Sequence, residues 1–376
     1  MSSDRNSSRR EFVGGLLAGA IGTSLPWARA AAAEPSPPIK TLAAAKGLLF
    51  GSCVGAVRNG SLADPRYVDI LKKECSVLVP ENELKSYTIS PERGQYNFEP
   101  GDRIAAFAKS NGMKLRGHTL LWNRPEFMPK WLRDSFGSLS PKESEAYLRD
   151  YVRRVCTHYG DQIHSWDVVN ETVDPKTGQV RDTPFTHVLG FDTLRIVYEA
   201  AREHAPHAQL VYNDYMSWES GQAETHRAGV LRLLEQFRSR KVPVDALGIQ
   251  SHLGNDGNIH AAQRKEWKAF VDAAVGMGYR LLITELDVSD KDLPAEVTTR
   301  DAEVAAVTRD YLDFMLSYRE LDQVLCWGMV DSLSWLQNYA PRVDKQPQRP
   351  NPYDKDYKAK PMREALAAAF AAAPKR

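Results

Sequence analysis

Two short stretches carry carboxylates where an apolar run should leave a core. "WDVVNET" (166–172) stops at Asn170-Glu171, and "ITELDV" (283–288) holds Glu285 and Asp287. Two carboxyl groups that face each other across a cleft can divide one reaction between them. One protonates a leaving oxygen, while the other attacks the neighbouring carbon or activates water, which is what cleavage of a glycosidic bond needs. Other apolar runs also end in polar groups. These are Glu81-Asn82 with Lys85 behind, His118 with Trp122 following, Asn213-Asp214, Gln250 with His252, and Trp327 with Asp331 and Trp335 beyond. A single His or Glu in such a place is ordinarily a cap or a surface group, and a single Trp is ordinarily packing. Seven strand ends furnished in this way imply one polar cleft, with Trp122, Trp327 and Trp335 offering flat apolar faces to sugar rings. No Gly-rich phosphate turn, Ser-His-Asp signature or metal-ligand spacing stands out. The carboxylates are therefore expected to act without a metal or cofactor.

Such residues meet only if the strands share one rim. β-Rich runs occur at 48–55, 76–80, 114–120, 163–169, 208–214, 246–252, 280–286 and 324–330. Between them lie stretches that are apolar at helical spacing, such as 65–74, 144–159 and 302–319. Strand–helix alternation argues for parallel pairing, and eight such units in a chain of this length predict an α/β fold, a single (β/α)8 TIM barrel. In that fold the C-terminal strand ends build the active site. A doubly wound sheet would call for a Gly-rich turn after the first strand, which is missing. The alternation is unbroken, so residues 47–376 read as one catalytic domain, preceded by a short leader (34–46). The Pro- and charge-rich segment 343–361 reads as a long loop whose alternating charges form a solvated surface.

Residues 1–33 have the layout of a removable export signal: Arg9-Arg10 followed by Phe12, an apolar stretch to Leu25, then small residues. The paired arginines fit the twin-arginine route rather than an ordinary Sec signal, which implies a periplasmic or secreted protein. The apolar stretch is too short and Gly-rich for a membrane span. Without residues 1–33 the chain keeps 45 basic and 46 acidic residues. That balance argues against nucleic acid or an anionic membrane as partner. A monomer is expected. Cys53, Cys75, Cys156 and Cys326 lack metal-binding spacing and read as buried thiols, with no disulfide assignable from spacing.

"ENELK", "HTLLW", "WDVVNET", "YNDY", "GIQSHL", "ITELDV" and "WGMVDSLSW" follow one another in order, one per strand from the second to the eighth. As a set they resemble the endo-β-1,4-xylanases of glycoside hydrolase family 10, over essentially the whole mature chain. The resemblance implies xylan or xylo-oligosaccharides as substrate, Glu171 as general acid/base and Glu285 as nucleophile. Asn170 would hold the 2-hydroxyl of the sugar being cleaved, and His252, backed by Asp287, would orient Glu285. Lys85, His118, Trp122, Gln250, Trp327 and Trp335 would line that sugar's subsite, and Glu81 and Asn82 would reach the next sugar. The charge of Glu285 is then expected to keep Glu171 protonated until the nucleophile is esterified. A cellulase-like barrel would normally show "NEP", where this chain has Thr172. A non-catalytic binding barrel would have lost one Glu. Two departures from the family pattern, "NRPEF" after Trp122 in place of His-Ser-Gln and Met216 in place of Asn, are expected to touch subsite affinity and not the acid or the nucleophile.

Overall fold

The strands form because β-branched and aromatic residues recur in short runs, and they close because each run finds a parallel partner on both sides. In the computed structural model, which describes residues 36–57, 60–218, 222–254 and 261–376, the barrel strands are β1 (Leu49–Val54), β2 (Val77–Pro80), β3 (Lys114–Trp122), β4 (Ile163–Asn170), β5 (Gln209–Asp214), β6 (Ala246–Ile249), β7 (Arg280–Val288) and β8 (Leu321–Cys326). Each pairs in parallel with its sequence neighbours, and β8 returns to β1, so no strand edge is left open. The expected (β/α)8 barrel is present. The proposed export signal, residues 1–33, lies outside the described residues.

Among the described residues the eight longest helices wrap the barrel: α1 (Pro65–Glu74), α2 (Glu99–Ser110), α3 (Pro141–Tyr159), α4 (Asp192–His204), α5 (Gln222–Ser239), α6 (Ala261–Gly276), α7 (Val297–Met315) and α8 (Pro361–Ala372). α3 shows how local sequence sets them. Ser140 and Glu143 form a reciprocal cap around Pro141, and Gly160, at φ 52°, ends the helix. Between these ends Leu148, Val152, Val155 and Tyr159 recur at helical spacing and are buried. Along β4, Trp166 and Val168 join the large core between strands and helices. The alternate residues Ser165 and Asp167 face the barrel interior, where both bond to the buried Arg116 guanidinium. Gly117 makes this packing possible, since a Cβ there would lie 2.0 Å from the Trp166 ring.

Four strands have boundaries that differ from the sequence reading by two residues or more. β8 occupies 321–326, ahead of the expected 324–330, because Asp322 is paired by Arg280 (Nε 3.1 Å) and Gln209 (3.2 Å), and Gly328 at φ 106° leads the chain out after Trp327. β6 stops at Ile249. Ser251 turns at φ 63°, and His252-Leu253 then pairs with Asp287-Val288 of β7. β3 and β7 each run two residues beyond their expected ends, to Trp122 and Val288.

The segment 343–361 is not the solvated surface expected of it. Val343 is exposed, but Gln348, Asn351, Tyr353 and Lys360 are buried. Lys360 Nζ reaches Asp331 at 3.0 Å, and Arg349 is bidentate to Asp301 at 2.7–2.8 Å. Arg349 and Lys360 are thus paired with residues distant in sequence and hold the loop to the chain after β7 and β8, while Asp344, Lys355 and Asp356 make only local pairs. At the other end of the barrel the helix Ile39–Ala44 packs its buried Ile39 and Ala43 against α1 and α8. All four cysteines are free and buried, and burial pushes the Cys156 thiol up to about 12. Among the described residues no helix is long and apolar enough to cross a membrane.

Candidate active site

The C-terminal strand ends open into one cleft of about 700 Å³. Every residue given a role from the sequence lines it except Asp287, which stands directly behind, 1% exposed, while the strand-end groups Asn213, Asp214 and Asp331 are buried and do not line it. One rim therefore gathers carboxylates from β4 and β7, amides from β4 and from beyond β6, and indoles from β3 and beyond β8.

Glu285 sits in a fixed cradle. Asn213 Nδ2 donates to its Oε1 at 2.8 Å, and His252 Nε2 lies 3.3 Å from its Oε2. Thr284 Oγ1 donates to Asn213 Oδ1 at 2.7 Å, which fixes the amide orientation. His252 Nδ1 is 2.9 Å from Asp287 Oδ1, and Trp335 Nε1 donates to Asp287 Oδ2 at 2.8 Å. The electrostatics follow from this row. Burial works to raise the Glu285 carboxyl, but the His252 hydrogen bond and the charges of His118, His252 and Lys85 outweigh it and hold the group at about 2. Burial likewise works against the His252 cation, yet the charge and hydrogen bond of Asp287, followed by Glu285, raise it to about 10. A carboxylate kept ionised and aimed by an imidazolium is prepared to act as a nucleophile.

Glu171 has a different setting. It adopts φ 53°, in the left-handed region that non-glycine residues seldom occupy, and its backbone N–H donates to Asn213 O at 3.0 Å. This turn directs the side chain back over the cleft. Gln250 Nε2 (3.0 Å) and Asn170 Nδ2 (3.3 Å) donate to Oε1, and Arg124 Nη1 donates to Oε2 at 2.9 Å. Asn170 Oδ1 accepts from Asn213 Nδ2 at 2.9 Å, so the two carboxylates are connected through a short chain of amides.

Arg124 corrects two expectations. It belongs to the divergent "NRPEF" stretch, so that departure touches the presumed acid directly. Its guanidinium is also a charged group bonded to the Glu171 carboxylate, so Glu285 is not the only charge that Glu171 faces. Trp122 is held between two side chains. Its ring stacks on Phe127 at 3.8 Å, and the Lys85 ammonium lies 4.4 Å from the ring centroid. Trp122 therefore meets the cleft as a half-buried ring held between Phe127 and Lys85. Trp327 packs on Cys53, Val79 and Leu325 inside the barrel mouth and meets His118 edge-on at 5.4 Å.

Sequence reasoning missed Arg124, Asp167, and the roles of Asn213 and Tyr215. Asp167 accepts from His118 Nδ1 at 2.9 Å and from Arg116, orienting the imidazole. Asn213 and Tyr215 lie inside "YNDY", where the only signal was the motif itself. For Arg124 the signal was the departure from the family pattern.

A closed parallel barrel with two carboxylates in contrasting environments at its C-terminal rim defines a carboxylate-based glycosidase site. The description of glycosyl hydrolase family 10 matches residues 38–369. Endo-1,4-beta-xylanase A of Caldicellulosiruptor saccharolyticus is 34% identical over 307 residues, covering 76% of this chain and 84% of that protein. Endo-1,4-beta-xylanase 1 of Humicola insolens is 34% identical over 313 residues, covering 81% and 69%. Among solved structures, an endo-1,4-beta-xylanase from Caldicellulosiruptor owensensis superposes with a TM-score of 0.78 at 28% identity, covering 88% of this chain and 99% of that one. This chain belongs to glycosyl hydrolase family 10.

Proposed function

We infer that this protein is an endo-1,4-β-xylanase that cleaves internal bonds of xylan or xylo-oligosaccharides with retention at the anomeric carbon. The observation that carries the assignment is the contrast between the two carboxylates. Glu285 is held ionised by His252 and serves as nucleophile, while Glu171 faces it from β4 and serves as acid/base. As Glu285 attacks C1, the C1–O bond breaks and Glu171 gives its proton to the departing oxygen. In the second step water loses a proton to Glu171 and displaces Glu285. In this reading Asn170 bonds the 2-hydroxyl of the sugar under attack, Lys85 lines the same sugar's subsite, and Glu81 and Asn82 reach the next sugar on the non-reducing side.

The test pairs stereochemistry with role. Proton NMR of the first product from xylan is expected to show the β-anomer, and an initial α-anomer would overturn the assignment. Glu171→Ala should still turn over an aryl xylobioside with a good leaving group and accelerate with azide, whereas Glu285→Gly should not turn over any glycoside. Azide rescue of Glu285→Gly to a product of retained configuration would reverse the two roles.

Export by the twin-arginine route belongs to the same proposal, supported by Arg9-Arg10 before Phe12, and so does a monomeric state. Replacing Arg9-Arg10 by a Lys pair should abolish export of a reporter fused to residues 1–33. Unchanged export would indicate the Sec route.

A further inference from the structure

Arg124 is held by its neighbours in a way that leaves one donor for Glu171. Its Nε donates to Glu126 Oε1 at 2.8 Å, and its Nη2 bonds to the same oxygen. The guanidinium lies over the Phe127 ring at 4.9 Å, and Phe127 in turn rests on Trp122. Nη1 then points at Glu171 Oε2 at 2.9 Å, with Glu171 91% buried on its side chain and Arg124 about three-quarters buried. A rigid fork fixed on one edge cannot swing far without breaking both the carboxylate and the ring contacts. The charge of Glu171, followed by that of Glu126, keeps the Arg124 guanidinium cationic against the cost of burial.

We propose that Arg124 is a positioning residue for the acid/base, which stabilises the carboxylate form of Glu171 and so sets the alkaline limit of the reaction, with Glu126 sharing the cation and moderating the effect. The proposal rests on the reading of Glu171 as acid/base. Its logic follows from the two steps. In the first, Glu171 must carry a proton to give to the leaving oxygen, and a neighbouring cation reduces the protonated fraction as pH rises. In the second, Glu171 must be a carboxylate to accept the proton of water, and the same cation keeps it ready. Arg124 trades alkaline activity in the first step for readiness in the second.

Other charged groups around Glu171 cannot replace it. From its own loop, Arg181 donates Nε to the Glu171 backbone carbonyl at 3.0 Å and is engaged by Asp174 at 3.4 Å and by the Tyr215 hydroxyl at 2.8 Å. From the β2 loop the buried Lys85 interacts with Glu285 and Glu81 ahead of Glu171. Glu285 and His252 form their own pair across the cleft, and His226 lines its far wall. Among the described residues, Arg124 is the cation that bonds to the Glu171 carboxylate.

The alkaline limb of kcat/KM reports the acid of the free enzyme, so the test is a pH profile on two substrates. With xylotetraose, whose leaving group needs protonation, Arg124→Gln should move that limb up by about one pH unit. Glu126→Gln, which leaves the cation to Glu171 alone, should move it down. Arg124→Lys should restore much of the wild-type position. With dinitrophenyl xylobioside, which needs no acid, no alkaline shift should appear, and Arg124→Gln should instead slow the second step. An unmoved limb with a raised KM would make Arg124 a binding residue for the leaving sugar and overturn the proposal. Equal shifts on both substrates would also overturn it, as would a Glu126→Gln shift in the same direction as Arg124→Gln. Glu171→Ala measured alongside separates the two levels of inference. If its loss does not depend on the leaving group, the acid/base reading fails. If it does, and Arg124→Gln leaves the limb in place, only the role of Arg124 fails.

Discussion

At the scale of residues, His252 is the hinge of the site's electrostatics. Its folded value, about 10, lies above the ordinary 6.5, so its contribution to stability is complete below about pH 6.5 and is lost as pH rises through 10. Glu285, at about 2 against an ordinary 4.5, contributes fully above about pH 4.5 and loses that contribution as pH falls through 2. The pair is strongest between these windows. His252→Asn should therefore destabilise the enzyme by about 2 kcal/mol near pH 6 and by much less near pH 10, as read from urea unfolding at the two pH values. It should also move the acid limb of kcat/KM upward, because the nucleophile loses the cation that keeps it ionised. Trp335 belongs to the same row. Its N–H holds Asp287, its ring tilts on Tyr339 at 4.5 Å, and it lines the cleft. If its ring also fills the space a hydroxymethyl group would need, that group meets a steric cost of about 1–3 kcal/mol, one to two decades in rate. Trp335→Phe should then lower kcat through the lost anchor but preserve preference for aryl xylobioside over aryl cellobioside. Trp335→Ala should lower both kcat and preference. An unchanged preference ratio in the alanine variant would place sugar selection elsewhere on the rim.

At the scale of elements, the rim depends on the segment 343–361, which is pinned by charges that its own sequence does not pair. Asp290, fully buried just past β7, accepts from Arg300 Nε at 2.6 Å and from the Arg349 backbone at 3.0 Å, and its carbonyl takes Arg342. Arg300 is itself 1% exposed. Removing Asp290 would leave the Arg300 charge buried with only neutral acceptors, Gln346 Oε1 at 3.1 Å and the Pro347 carbonyl at 2.6 Å, and an uncompensated buried charge commonly costs about 3–5 kcal/mol. Asp290→Ala should therefore lower unfolding stability by that order. The catalytic row hangs from β7 and from Trp335, so kcat at 25 °C should fall by less than the stability loss suggests. A destabilisation below about 1 kcal/mol would mean that water or a shifted Arg300 relieves the buried charge.

At the scale of the whole molecule, the sequence displays whatever depends on neighbours along the chain and conceals what depends on neighbours in space. β4 and β7 were legible because apolar runs there stop abruptly at Asn170-Glu171 and Glu285, and the barrel was legible from the regular alternation of strand and helix. The start of β8 was hidden because Asp322-Gln323 look polar, although Arg280 and Gln209 satisfy Asp322 from other strands. The loop 343–361 and Arg124 escaped for the same reason, since their partners lie on distant segments. The chain's first described helix shows the principle at the base of the barrel. Glu74 of α1 is fully buried, yet it accepts the Ile39 backbone N–H at 2.8 Å, the Tyr353 hydroxyl at 2.6 Å and Arg363 Nη2 at 3.2 Å. Burial raises its carboxyl, but Tyr353, Ile39 and Arg363 together bring it below the ordinary 4.5. A chain begun at residue 47 would lose the Ile39 N–H, the Pro37 carbonyl that Arg363 holds at 2.7 Å, and the burial of Ile39 and Ala43. Compared with a chain begun at residue 36, it should be less stable by roughly 3–5 kcal/mol at pH 7, from the burial of Ile39 and Ala43 and two charge-assisted hydrogen bonds, less the backbone entropy that ordering residues 36–46 costs. Because Glu74 is a depressed carboxylate, its share of that difference is present above about pH 4.5 and is lost as pH falls. The gap between the two chains should accordingly narrow in acid. Equal stability at pH 7 would show that α1 and α8 close the barrel base without residues 36–46.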